Sequence, residues 1–505
     1  MPSVNPSVRL LLLLSLVFSG GCASIQPVEL ESEYTAPPAA APLWDTIVAA
    51  APTDWHALLN DGPTALDWRL RAIDSANESI TFQTFLWYFD TAGRMVLDHL
   101  VRAADRGVNV RILIDDFLMV EDRLLLALAA HPNIEYRVFN PYKRRVSSVA
   151  TRQLLNVAEF KRLDHRMHNK AMVVDNQVAI IGGRNVADEY FGLDEDSNFR
   201  DMELIFGGTA VRQISEAFDT YWNNRWAFPI ETISHETASA EELAEARRIT
   251  DEATHIHTEE SPELRLEKWL SVIAGSDTGQ AILYTDDPPE GNPRNREEFP
   301  VQVANELIAL FDAAEFEIVI VSAYLIPTPE LEGAVKRALD RGVRVRILTN
   351  SINSNNHLTA HSVYRNHIGT LIESGAEMHE VRIDAKDRAR YMLTPVEQKN
   401  LGLHAKALVI DGDKVFVGSV NLDPRSLKMN TEMGFLVVSR PFNETVRSAF
   451  EGDFSTENAW KLELQDNGEI FWVSDDETLT SQPAHSFMQR IEDWFFAHAL
   501  PEDEL

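Results

Sequence analysis

The chain repeats itself at long range, and that repetition constrains its fold more than any other feature. Ile80 to Phe85 reads ITFQTF, an alternating strand pattern, and a helical stretch follows from Gly93 to Asp105. Next comes Arg106-Gly107-Val108-Asn109-Val110-Arg111-Ile112-Leu113, a second strand introduced by a glycine turn. Far downstream Ile318 to Ala323 reads IVIVSA and Leu331 to Asp340 is helical. Arg341-Gly342-Val343-Arg344-Val345-Arg346-Ile347-Leu348 then stands 235 residues after its counterpart. Strand, helix, strand is a βαβ unit. Two such units so far apart predict a duplicated α/β half rather than a short-period solenoid.

A motif travels with the repeat. His168-Asn169-Lys170-Ala171-Met172-Val173-Val174-Asp175 has the form H-x-K-x4-D, and Gly182-Gly183-Arg184-Asn185 begins seven residues past its aspartate. His404-Ala405-Lys406-Ala407-Leu408-Val409-Ile410-Asp411 repeats the form 236 residues on, with Gly418-Ser419-Val420-Asn421 at the same spacing. On a strand, residues two apart share a face, so each histidine projects with its lysine while Asp175 and Asp411 point the other way. Asp175-Asn176 and Asp411-Gly412 are turn signals, which makes each motif a hairpin. The hairpin returns to deliver Gly182-Gly183 or Gly418-Ser419, small residues that let an anion approach the backbone. Two copies together gather two imidazoles, two ammonium groups and two amides. That set suits a phosphodiester. Lysines and asparagines stabilise nonbridging oxygens, one imidazole attacks phosphorus, and the other moves the proton. Nothing in it calls for a metal or another cofactor, since protonated lysine is a poor ligand.

Two such motifs resemble the paired HKD motifs of the phospholipase D superfamily, with the similarity running over about residues 60 to 440. The resemblance implies two α/β halves, mixed β-sheets flanked by helices, about a pseudo-twofold axis with one active site between them. It implies His168 as nucleophile and His404 as general acid and base. Lys170, Lys406, Asn185 and Asn421 would bind phosphate with Gly183 and Ser419, and Asp175 and Asp411, which complete the motifs, would count with them among the catalytic residues. Family members also orient each histidine with an acidic residue after each motif, for which Asp201 and Glu432 are the matching positions, with Glu203 beside Asp201. Gly182 to Phe191 and Asn421-Leu422-Asp423-Pro424-Arg425-Ser426, with Asn430 and Glu432, resemble the tails of bacterial cardiolipin synthases, the C type above all. This implies transfer of a phosphatidyl group between phospholipids through a phosphohistidine, with hydrolysis by water as the alternative. With both motifs in one chain, no dimer is needed to complete the site.

The ends and the charge set the remaining expectations. Arg9, the apolar run Leu10 to Phe18 and Gly20-Gly21-Cys22 read as a lipoprotein leader over 1–21, with lipidated Cys22. The run falls short of the about 20 apolar residues that span a bilayer. Cys22 is the only cysteine, so no intrachain disulfide forms. Ala23-Ser24 lacks the aspartate that keeps many such proteins at the inner membrane, so the expectation is an envelope protein facing the periplasm, at the outer membrane. Residues 23–45, with Pro27, Pro37, Pro38 and Pro42, read as a flexible tether. The halves are expected at 46–228 and 264–442. An acidic linker at 229–263 would join them, and a segment at 443–505 would pack on the second half. Lys and Arg number 46 against 78 Asp and Glu, a net charge of −32. That weighs against a general nucleic-acid binder, which needs a basic footprint, and makes a nuclease the lesser reading. The resemblance implies phospholipids and a membrane surface as partners. One basic stretch, Lys143 to Arg166, reads as a solvated face or as a surface for anionic headgroups.

Overall fold

The computed structural model describes residues 25–119, 122–146, 148–234, 238–251, 260–289 and 301–499. The leader, Cys22 and the acidic Pro501–Leu505 lie outside the described residues.

Two sheets carry one topology, as the duplication requires. The first has eight strands in the order Trp55–Leu59, Glu203–Gly207, Val178–Gly182, Ala171–Val174, Ser79–Thr84, Asn109–Asp115, Ile134–Phe139 and Ala227–Pro229. The second repeats that order with Gln280–Thr285, Met433–Val438, Lys414–Gly418, Lys406–Ile410, Glu317–Ser322, Arg344–Asn350, Glu377–Val381 and Ala459–Leu464, then adds Ile470–Val473 and Thr478–Leu479. In each, the two strands of the βαβ unit pair in parallel and the motif hairpin runs antiparallel beside them. The fold is the mixed α/β duplication that the repeat predicted.

Both motif hairpins turn on residues in the left-handed region. Asp175 and Asn176 have φ of 53° and 52°, and Asp411 has 52°. Asp and Asn tolerate that conformation because their short side chains bond the local backbone.

Alternation along the strands decides which layers touch. Met172, Val174, Val178 and Ile180 face a helical layer, while Ala171, Val173, Ala179, Ile181 and Phe206 face the other half. There they meet Val319, Val409, Phe435 and Val437 of the second sheet, with Phe206 and Phe435 rings 4.4 Å apart. The result is helices, sheet, sheet, helices, with the two sheets sharing one apolar core. The faces bury apolar side chains worth roughly 1.5–3 kcal/mol each, which fixes the halves against one another. Among the described residues no helix is long and apolar enough to cross a membrane.

Three boundaries differ from the expectation. Residues 25–41, read as a tether, lie along the first half. Thr35 donates to Asp219, the Glu33 amide donates to Asn223, and Ala39 is buried. The helix Pro42–Ala50 follows and buries Trp44, whose Nε1 donates to Asp175 at 2.6 Å. The helix Pro262–Ala274, assigned to the second half, packs in the first. Trp269 is fully buried against Trp44 and Trp68, at 5.6 and 5.0 Å between rings, and donates to Ser75. The linker helix Ala240–Asp251 docks on the helix Thr91–Asp105, with Thr250 and Ala246 buried and Arg247 paired to Asp105. Compositions rich in Ala, Glu and Pro look solvated residue by residue. A few buried apolar anchors outweigh them.

Candidate active site

The two motifs meet because each is stitched to the other half. Asn400–Leu403 pairs in parallel with Ser197–Arg200, and the amides of His404 and Ala405 donate to Arg200 O at 2.9 and 3.1 Å. Symmetrically, Met167 bridges Thr431, the His168 amide donates to Thr431 O at 2.9 Å, and the Thr431 amide donates to Arg166 O. These ladders end one residue short of Asp201 and Glu432, so each acid arrives beside the histidine of the opposite half. Nδ1 of His404 lies 2.6 Å from Asp201 Oδ2, and Nδ1 of His168 lies 2.9 Å from Glu432 Oε2. The acid that follows each motif therefore serves the other motif's histidine. With Nδ1 engaged, each ring has Nε2 left for chemistry, and the carboxylate sets the tautomer.

Both histidines line one cavity of about 540 Å³ with Asn185 and Asn421. Its walls come from both halves: Phe85, Leu86 and Phe117 on one side, Tyr324, Ile326 and His357 on the other. Phe85 contacts the His168 ring edge-on at 4.9 Å, and Tyr190 contacts His404 likewise at 4.9 Å. Lys170 and Lys406, both buried, donate to the carbonyls of His168 and His404.

Burial dominates the electrostatics. It lowers His168 well below its ordinary range, with Lys170 and Lys406 adding to the effect, and takes His404 down to about 3, with Asp201 opposing. Burial also lowers Lys170 to about 7 and Lys406 to about 8. Among the acids, burial would raise Asp201, but His404, Lys406 and Arg184 outweigh it and hold Asp201 well below the usual carboxylate range. Glu432 is raised by burial to about 7, with Lys170 and Ser419 opposing. These surroundings thus favour the neutral form of both imidazoles near neutral pH. A bound phosphodiester anion, placed beside them, would favour a proton on one. Among the described residues no group of three or more His, Cys, Asp or Glu is gathered to hold a metal.

The family model for "Cardiolipin synthase, PLD-like domain" matches residues 70–222 and 307–454, spanning both motifs. The chain is 32% identical to cardiolipin synthase C of Escherichia coli over 440 residues, 84% of this chain and 90% of that one. The chain belongs to this family. It is a phospholipase D superfamily enzyme, as the paired motifs implied. Similarity extends at 25% identity to cardiolipin synthase of Oceanobacillus iheyensis, over 82% of this chain and 71% of the relative. Among solved structures, phosphatidylserine synthase of Haemophilus influenzae shares the fold with a TM-score of 0.53 and 15% identity, over 81% of this chain and 90% of that one.

Within this phospholipase D-like site the remaining residues fall into three groups. His168, His404, Asn185 and Asn421 face the cavity, and Lys170 and Lys406 stand directly behind the histidines. The side-chain oxygens of both asparagines are buried without a partner, while Asn185 Nδ2 donates to Tyr190 Oη. An amide can turn over without changing shape, so either can present its NH2 to an anion. Gly183 and Ser419 do not open the backbone to phosphate. A Cβ at Gly183 would stand 2.3 Å from Asp201 Oδ1, and Ser419 Oγ donates to Glu432. Smallness at these positions makes room for the two acids.

Asp175 and Asp411 lie away from the cavity. Asp175 accepts from the amides of Asn77, Glu78 and Ser79 at 2.7–2.8 Å, and Asp411 accepts from those of Glu315, Phe316 and Glu317. They clamp the hairpin turn to the start of the neighbouring strand and take no part in the site. Glu203 is likewise structural, ion-paired with Arg69 and Arg184.

The basic stretch is not one solvated face. Arg152 and Arg145 pair with Asp116, Arg166 with Asp115 and Arg162 with Glu159, and all but Arg145 are buried. The aromatic neighbours Phe85 and Tyr190 escaped sequence reasoning. Phe85 ends the ITFQTF strand and Tyr190 lies in the first motif's tail, so position relative to the motifs was the available signal.

Proposed function

We propose that the protein transfers a phosphatidyl group from one phospholipid to a hydroxyl of another through a phosphohistidine on His168. One observation carries the reading: two histidines, each held at Nδ1 by a carboxylate from the opposite half, share one cavity with apolar walls. His168 Nε2 attacks phosphorus, and the bond from phosphorus to the donor's headgroup oxygen breaks. His404 Nε2 gives that oxygen its proton. The acceptor hydroxyl then returns a proton to His404 and attacks phosphorus as the P–N bond breaks. One diester is exchanged for another, so atoms and charge balance without further input. The lysines and the two asparagine amides stabilise charge on the nonbridging oxygens. Lying beside Asp201, which stays anionic, suits His404 to carry the proton, and His168 is the neutral nucleophile. The similarity to proteins named cardiolipin synthase supports a lipid hydroxyl as acceptor, and the net charge of −32 argues against nucleic acid.

The test is incubation of the protein with labelled phosphatidylglycerol and phosphatidylethanolamine in mixed micelles, beside His168→Ala. Cardiolipin made only by the wild type is the expected result. Phosphatidic acid alone would replace transfer by hydrolysis, and no lipid product from folded protein would overturn the reading. The leader and Cys22 support a lipid-anchored protein facing the periplasm, at the outer membrane. Palmitate labelling that survives in Cys22→Ser would refute that anchor.

A further inference from the structure

The last described helix, Phe487–Ala499, has its polarity inside out. Asp493 faces inward, fully buried, with Oδ1 2.9 Å from His361 Nδ1 and Oδ2 accepting from Arg365 at 2.7 Å. Gln489 donates to Ile352 O in the loop before Leu358–Glu373, the helix on which Phe487–Ala499 packs. On the outside are Phe487, Met488, Ile491, Trp494 and Phe495, exposed by 76, 59, 43, 56 and 57%. Their spacing, i, i+1, i+4, i+7, i+8, puts them on one stripe. A helix packed only for the fold would turn this stripe in and Asp493 out.

Two observations say what covers the stripe. The helix rides on Leu358–Glu373, whose first residues Thr359 and Ala360 line the catalytic cavity beside His357. A second exposed apolar cluster, Leu154, Val157 and Phe160, belongs to the segment wired through Arg145 and Arg152 to Asp116. The next residues, Phe117 and Leu118, line the cavity from the other half. An apolar surface is thus attached to each wall of a site whose substrate, on the reading above, is a membrane lipid. Trp and Phe beside charged residues suit the interface of a bilayer, where aromatic rings settle at headgroup depth.

We propose that the outer face of Phe487–Ala499 docks into the lipid bilayer surface, with the Leu154–Phe160 cluster as a second foot, so that lipid enters the cavity from the membrane. This rests on the lipid reading of the site. Because the chain is strongly acidic, the attachment comes from apolar insertion and not from attraction to anionic headgroups. High salt therefore does not weaken it, unlike binding through basic residues.

Cys22→Ser leaves a full chain without thiols. Adding Phe487→Cys, or Lys336→Cys on the exposed face of another helix, gives single labelling sites for an environment-sensitive dye. Vesicles of phosphatidylethanolamine and phosphatidylglycerol should blue-shift the dye at 487, spin-labelled lipids should quench it, and high salt should weaken neither. The dye at 336 should stay silent. No response at 487 would overturn the proposal, as would a shift that follows protein concentration without vesicles, which would assign the stripe to a second copy. A triple variant, Phe487→Ser, Trp494→Ser and Phe495→Ser, should lose at least about tenfold in turnover on vesicles, since binding scales with inserted apolar area. It should match the wild type on monomeric short-chain phosphatidylglycerol. Equal turnover on vesicles would also overturn the docking. No turnover of monomeric lipid by the wild type would instead overturn the substrate reading, with the dye result standing on its own.

Discussion

The two histidine–carboxylate pairs come from one duplicated motif, and they differ in what stands behind the carboxylate. Behind Asp201 is Gly183, and then Arg184, fully buried, which donates to Asp201 O at 2.5 Å and to Leu59 O and Tyr190 O. Behind Glu432 are Ser419, which donates to the carboxylate, and Val420, which brings no charge. The guanidinium helps His404 and Lys406 hold Asp201 anionic, whereas burial leaves Glu432 raised to about 7. Duplication supplied two equal catalytic dyads. The two residues after Gly182 and Gly418 add to that difference, with a guanidinium behind the acid held anionic and an apolar side chain behind the one raised to about 7. Pairs of titratable groups pushed apart by their surroundings mark distinct acid and base duties.

The largest effect that could break this comparison is loss of either histidine. His168→Ala should cost about 10⁴-fold or more in turnover, since no nucleophile remains. His404→Ala removes a proton donor, typically worth about 10²–10⁴. A nitrophenyl phosphodiester needs no proton on its leaving group, so with it His404→Ala should still release a burst of nitrophenol and yield a trapped phosphoenzyme. His168→Ala should show neither. The opposite pattern in rapid-quench measurements would exchange the two roles.

The acids come next. Asp201→Asn should lower turnover by about 10³-fold, because the amide favours the wrong tautomer of His404, as loss of the aspartate does in hydrolytic triads. Glu432→Gln should cost only about tenfold, since glutamine imitates a protonated glutamate. Its penalty should grow with pH. Below about 7 the wild-type Glu432 already holds a proton, and above it the variant lacks a carboxylate that the wild type has gained. Equal penalties for the two variants at pH 6 would erase the proposed difference between the halves.

The lysines give a smaller, graded effect. Lys170 and Lys406, lowered to about 7 and about 8, are charged below those values and lose phosphate-binding charge above them. The rate at low substrate should therefore fall with rising pH by up to about tenfold per unit, starting near 7. At saturating substrate the limb should move upward, since bound phosphate favours the charged lysines. A flat profile from pH 6 to 9 would exclude these lysines as charged phosphate ligands.

The motifs and their hairpins were legible because they are local. Period-two alternation, turn residues and a repeat of 235–236 residues need no knowledge of what packs where. The crossing of the acids was not legible. Glu432 lies 264 residues from His168 and Asp201 lies 203 from His404, and only the ladders between the halves bring them together. Arg145, Arg152 and Arg166 looked solvated because their partners Asp115 and Asp116 lie at and just past an earlier strand end, outside any local window. Trp269 was assigned to the wrong half for the same reason. Its partners Trp44 and Trp68 stand about two hundred residues upstream, and their rings outweigh the position of the helix in the chain.

The smallest effect separates the motif aspartates, which clamp rather than catalyse. Asp175 is buried and takes the indole N–H of Trp44 together with three amides, so Asp175→Asn leaves buried donors competing for one oxygen. An unsatisfied buried donor costs about 1–3 kcal/mol, and thermal unfolding should register that loss. Asp411 holds its three amides at an exposed turn, where water can replace it, so Asp411→Asn should cost less than about 1 kcal/mol. Asparagine keeps the tolerance for positive φ in both cases, so backbone strain does not enter the comparison. Turnover of either folded variant should stay within about threefold of wild type, because the aspartates sit at the far end of the hairpin from His168 and His404. A loss of turnover in Asp411→Asn without a loss of stability would put this aspartate back in the catalytic machinery and overturn the division of the motif into a site end and a clamp end.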